Sequence, residues 1–160
     1  MLPESAPKVC GGISTPSSAK TRRSVAERRH LRGLIDTSVV IDLDVLDPEH
    51  LPEELAVSAI TLAELAAGPH ATADPAERAR RQDRLQRTEA TFETLPVDAN
   101  VARAYGRVYA AVAAAGRKAS GRRASDMLIA ATAMATDLPL YTRNPIDFAG
   151  LTDLIEVVAI

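Results

Sequence analysis

The chain has 160 residues, 46% hydrophobic and 25% charged, which excludes wholesale disorder and suits one domain with a substantial core. Its single cysteine, Cys10, excludes an internal disulfide framework and a cysteine zinc site, and fits a reducing, cytoplasmic setting. The net charge of −2 hides a division: residues 1–32 hold seven Lys/Arg against Glu4 and Glu27, a net +5, so the remainder carries −7.

Residues 1–32 are rich in Ser, Gly, Pro and Arg without apolar periodicity, and read as a basic, mostly disordered extension. They lack the continuous apolar segment of a secretory signal, although their Ser/Arg richness is faintly similar to a transit peptide. The arm is either a nucleic-acid-binding tail or, the reading preferred here, a dispensable extension.

A domain is expected over 33–160. Its apolar runs predict strands at 33–36, 55–59, 93–97, 139–142 and 155–159. Helices are expected at 38–44, 61–68, 75–91, 98–115 and 124–136, with a short one at 145–149. Strands alternating with helices imply an α/β fold, a central parallel sheet covered on both faces. Helix 75–91 carries Arg78, Arg80, Arg81, Arg84 and Arg87 with few large apolar residues, so it faces solvent or a partner. Helix 124–136, ASDMLIAATAMAT, is apolar nearly all round and should be buried, with Asp126 as its one charge. It also contains the longest apolar stretch, far short of the roughly 18 residues a membrane span needs.

Four acids stand beside predicted strand ends or helix starts: Asp36, Glu64, Asp126 and Asp147. Each has a structural explanation. TLAE, Thr61 to Glu64, matches a capping box in which Glu64 reaches back to the N-cap amide. NPID, Asn144 to Asp147, offers an Asn cap, Pro at the first helical position and an acid two residues on. Asp36 caps a turn and Asp126 complements a helix dipole on the same view. Topology weighs against four separate caps. In an open parallel sheet every strand-to-helix junction falls on one edge, where ligands bind. Asp36, Glu64 and Asp147 are delivered there together, and Asp126 heads a buried helix able to point the same way. Carboxylates so gathered repel unless a cation lies between them, and an all-oxygen set suits Mg²⁺ or Mn²⁺.

Four blocks in order, LIDTSVVIDL, ITLAELAAG, SDMLIAATA and YTRNPIDF, resemble the signature blocks of PIN-domain proteins, and within them the VapC-type toxins of type II toxin–antitoxin modules. The likeness spans residues 33–160; the basic arm departs from it. The resemblance implies an α/β/α sandwich (PIN-like) whose acids bind Mg²⁺ or Mn²⁺ and hydrolyse RNA, in a structured cellular RNA such as tRNA or rRNA. By position, Asp36 and Asp126 match the principal metal ligands, Glu64 the second-block acid and Asp147 the most variable one. Thr142 and Asn144 match the polar residues flanking it. A cognate VapB-type antitoxin and a homodimer are implied as well. Helix 75–91 is expected to contribute to the antitoxin surface.

The remaining residues agree with that chemistry. His30, His50 and His70 lie outside the four blocks, which disfavours a metal-free histidine ribonuclease. Arg117, Lys118, Arg122 and Arg123, just before Asp126, are candidate RNA-binding residues. Aromatics at 3% provide no base-stacking platform, so recognition by RNA backbone and shape is expected. Two other classes compete. One is a catalytically silent PIN-like RNA- or protein-binding module, which loss of an acid would favour. The other is a phosphotransfer domain with Asp36 as nucleophile. The first strand runs into DTSVV rather than a glycine-rich loop, and the domain's one lysine is Lys118, so this second class ranks lower.

Overall fold

The computed structural model describes residues 30–118, 121 and 123–160. The extension expected at 1–32 lies outside these up to residue 29, as does Cys10. Five parallel strands form one sheet: β1 (Arg32–Ile35), β2 (Glu54–Ser58), β3 (Glu93–Leu95), β4 (Leu140–Thr142) and β5 (Val157–Ala159), in the order β3-β2-β1-β4-β5. Five α-helices connect them: α1 (Thr37–Asp42), α2 (Ala59–Ala67), α3 (Pro75–Thr91), α4 (Ala99–Ala114) and α5 (Arg123–Thr136).

The period-two alternation of strands separates two cores. Leu34, Ala56 and Leu140 face one side, where they meet Val101, Val108, Met127, Ile129 and Phe148 of α4, α5 and the turn after β4. Ile35, Val57 and Tyr141 face the other, against Val39 and Val40 of α1 and Leu65 of α2. The central strand is apolar at both of these positions because helices cover both faces. The result is the expected α/β/α sandwich. Helix α5 is buried as its composition predicted, with every residue from Ile129 to Ala133 inside.

The elements depart from expectation mainly at their ends. β3 stops at Leu95 because Pro96 has no N–H to continue the ladder. The helix predicted at 61–68 begins at Ala59, since Ser58 caps it: its hydroxyl accepts from the Thr61 amide at 2.9 Å. The short helix at 145–149 is a 3₁₀ turn, Pro145–Phe148, and further 3₁₀ turns occupy Pro48–His50 and Gly68–Ala71. At the front of the domain His30 and Leu31 already belong to the folded body. Their carbonyls accept from the Glu53 and Glu54 amides, and the His30 ring meets the Tyr141 hydroxyl at 2.8 Å. Among the described residues no helix is long and apolar enough to cross a membrane.

Candidate active site

Parallel strands deliver every strand-to-helix junction to one sheet edge. There an open cleft of about 510 Å³ is lined by Asp36, Glu64, Asp126 and Asp147 together with Asn144. The four acids come from four elements: the junction of β1 and α1, the body of α2, the first turn of α5 and the 3₁₀ turn after β4.

Asp36 is the most enclosed of them, 6% exposed. Three donors fix its carboxylate. The Thr37 amide donates to Oδ1 at 2.7 Å, and the Ser38 and Thr142 hydroxyls donate to Oδ2 at 2.8 and 2.9 Å. Both hydroxyls are themselves oriented. The Arg143 amide donates to Ser38 Oγ at 3.1 Å and the Asn144 amide to Thr142 Oγ1 at 3.0 Å. With a lone pair of each oxygen engaged, each hydroxyl proton is directed to Asp36. The β4 terminus thereby locks a carboxylate more than a hundred residues away in sequence.

Glu64 accepts from the Thr37 hydroxyl at 2.5 Å. It sits within α2, not at its start, so the capping-box reading of TLAE does not hold: Ser58 performs that task one turn earlier. Asp147 heads its turn as expected, yet the Asn144 side chain makes no capping hydrogen bond there. Asn144 instead faces the cleft.

Those candidate RNA-binding cations that lie among the described residues do not line the cleft. Arg117 Nη1 donates to the carbonyls of Ile146 and Ala149, both at 3.0 Å, and so braces the turn that carries Asp147. Lys118 and Arg123 do not line the cleft, and Arg122 lies outside the described residues. The sequence reading passed over Thr37, Ser38, Asp42 and Arg143, all of which line it. Arg143 pairs with Asp42 across 101 positions. The hydroxyls of DTS were the available signal; the Arg143–Asp42 pair had none.

The donor chemistry fits a hard divalent ion. The cleft offers carboxylate, hydroxyl and amide oxygens without thiol or imidazole. Neutral hydroxyl and amide donors hold Asp36 and Glu64 in place without cancelling their charge. Among the described residues no group of three or more Asp, Glu, His or Cys side chains stands close enough together to hold a metal ion between them. An open arrangement suits Mg²⁺, which keeps several waters and takes one or two carboxylates.

Comparison with known proteins agrees with this architecture. The PIN-domain profile matches residues 33–150. Ribonuclease VapC5 of Mycobacterium tuberculosis is 38% identical over 128 residues, covering 78% of this chain and 91% of VapC5. The crystal structure of VapBC-5 from the same organism, a member of the VapBC family of toxin–antitoxin systems, superposes with a TM-score of 0.72 at 37% identity. That match covers 81% of this chain and 99% of the other. FitAcB of Neisseria gonorrhoeae superposes with a TM-score of 0.60 at 28% identity, over 78% and 94% of the two chains. With the motif blocks, the sheet order and the cleft all in agreement, the chain belongs to the PIN-domain family, in its VapC-type branch.

Proposed function

We propose that this chain is a ribonuclease toxin that hydrolyses RNA phosphodiester bonds and is restrained by a partner antitoxin. The observation that carries the reading is the gathering of Asp36, Glu64, Asp126 and Asp147 around one cleft at the carboxyl edge of the sheet. The names of its relatives, a ribonuclease and toxin–antitoxin assemblies, point the same way.

Asp36, Glu64, Asp126 and Asp147 would hold Mg²⁺ or Mn²⁺. Such an ion supplies Lewis acidity toward a phosphate oxygen and lowers the pKa of a bound water. The chain's own part is placement. Ser38 and Thr142 keep Asp36 still, Thr37 holds Glu64, and the turn at Asn144 presents Asp147. Preorganisation of this kind avoids reorienting carboxylates as charge develops on the phosphate. A structured cellular RNA such as tRNA or rRNA, a homodimeric assembly and a cytoplasmic setting complete the proposal.

The test is a ribonuclease assay on the full chain freed of antitoxin, with Mg²⁺, Mn²⁺ or EDTA, and mapping of the RNA ends. Cleavage should require the ion and fall more than about 100-fold in Asp126→Asn, since even outer-shell changes cost 10- to 100-fold. Equal cleavage by both proteins would remove the catalytic assignment and leave a silent RNA- or protein-binding module.

A further inference from the structure

Four of the five arginines of α3 are engaged within the chain. Arg78 donates to the Thr72 carbonyl, Arg80 and Arg81 both bind Glu77, and Arg87 pairs with Asp83 and Asp44. Arg84 differs. It is partly buried, yet among the described residues its guanidinium has no hydrogen-bond or ion-pair partner. It lines a groove of about 300 Å³ whose walls include Thr37, Ile41 and Glu64, the same residues that wall the acid cleft. The groove and the cleft therefore share a wall. Glu77, also on this wall, is already neutralised: hydrogen bonds from Arg81 and then Arg80 hold its carboxyl below the usual range. Arg84, which also lines the space beside Val40 and Arg87, is the cation of this groove left without a partner among the described residues, and Glu64 is its carboxylate held by a hydroxyl alone.

An RNA strand with one phosphate among four carboxylates must carry its neighbouring phosphates through the same negative field. Cations beside the acids have to offset that repulsion. Among the described residues, Arg117 is tied to backbone carbonyls, Arg143 is paired with Asp42, and Lys118 and Arg123 do not line the cleft. Arg84 lines the groove that shares a wall with the cleft, and a guanidinium matches phosphate through two parallel hydrogen bonds.

We infer that Arg84 and the groove beside α2 and α3 form a phosphate subsite for the RNA strand flanking the cleft. The inference rests on the ribonuclease reading, and it gives α3 a role toward RNA in place of the expected antitoxin contact.

The experiment compares the full-length chain with Arg84→Ala, Arg84→Lys and Arg78→Ala. Arg78→Ala removes the same charge from the same helix, outside the groove and away from its wall residues. Binding of a fluorescent single-stranded RNA oligonucleotide is followed by anisotropy in EDTA across a salt series. Cleavage kinetics are measured in Mg²⁺, and melting temperatures serve as a folding control. Arg84→Ala should weaken binding about tenfold and flatten the plot of log K against log salt by about 0.7, the value for one phosphate contact on a single strand. Arg84→Lys should keep the slope with a smaller loss of affinity, and Arg78→Ala should stay within about twofold of wild type. KM should rise in Arg84→Ala while kcat holds. Equal behaviour of Arg84→Ala and Arg78→Ala, or an unchanged slope, would overturn the subsite and leave the groove to a protein partner. Salt-sensitive binding by wild type without cleavage would overturn the ribonuclease reading alone. A wild-type chain that does not bind RNA would overturn both.

Discussion

A carboxylate at a strand end is useful only if it is held still, and Asp36 is held by groups from two distant parts of the chain. Thr142 is fully buried and gives its hydroxyl proton to Asp36 while accepting from the Asn144 amide. Valine keeps its shape without either hydrogen bond. Thr142→Val should therefore cost about 1–2 kcal/mol of stability, from a buried acceptor losing one donor. It should lower ribonuclease activity about 10- to 100-fold, in the range seen when a group orienting a metal ligand is removed. The decisive readout is the Mn²⁺ concentration for half-maximal activity. It should rise in Thr142→Val and return in Thr142→Ser, whose hydroxyl can still donate. An unchanged metal requirement in Thr142→Val would mean that the hydroxyl serves packing and not Asp36.

At the scale of elements, the strands and the buried helix could be read directly, because apolar runs of fixed period have few other uses. LeuIle of β1 and the Ala-rich α5 are examples. Topology brings Asp36, Glu64 and Asp147 to one edge, Asp126 heads a buried helix able to point there, and all four line the cleft. What stayed hidden depends on contacts between distant segments. SAITLAE holds two candidate caps, and Ser58 prevails because its hydroxyl meets both the amide and the hydroxyl of Thr61 where the strand ends. Arg117 looked like a phosphate grip because its carbonyl partners lie 29 and 32 positions later. As a brace, it sets the position of the Pro145–Phe148 turn and hence of Asp147. Arg117→Ala should reduce cleavage about 3- to 10-fold with the salt slope of RNA binding unchanged; a phosphate grip would flatten that slope by about 0.7. Combined with Asp147→Asn, its effect should be non-additive, since both changes act through one carboxylate. A flattened slope, or full additivity, would return Arg117 to the RNA surface.

For the molecule as a whole, the sandwich concentrates like charge at one place. Apolar faces on both sides of the sheet support the strand ends, and carboxylates from four elements line one cleft there. Such a site should oppose folding when no cation is present and favour it if one binds, so stability and function should trade off at these acids. Glu64 isolates the effect, because glutamine can still accept the Thr37 hydroxyl proton through its carbonyl oxygen while losing the charge. In EDTA, Glu64→Gln should melt about 1–3 °C above wild type, the size expected when one repulsive charge is relieved. Adding Mg²⁺ or Mn²⁺ at about 100 times its dissociation constant should raise the wild-type melting temperature by roughly 5–10 °C, from about 2.7 kcal/mol of linkage. In Glu64→Gln that rise should shrink at the same ion concentration, because a weaker site gives less linkage. Thermal unfolding of the two proteins with and without the ion reads both quantities. A lower melting temperature for Glu64→Gln in EDTA, or an undiminished rise with metal, would show that Glu64 serves the fold and that the ion lies with the other three acids.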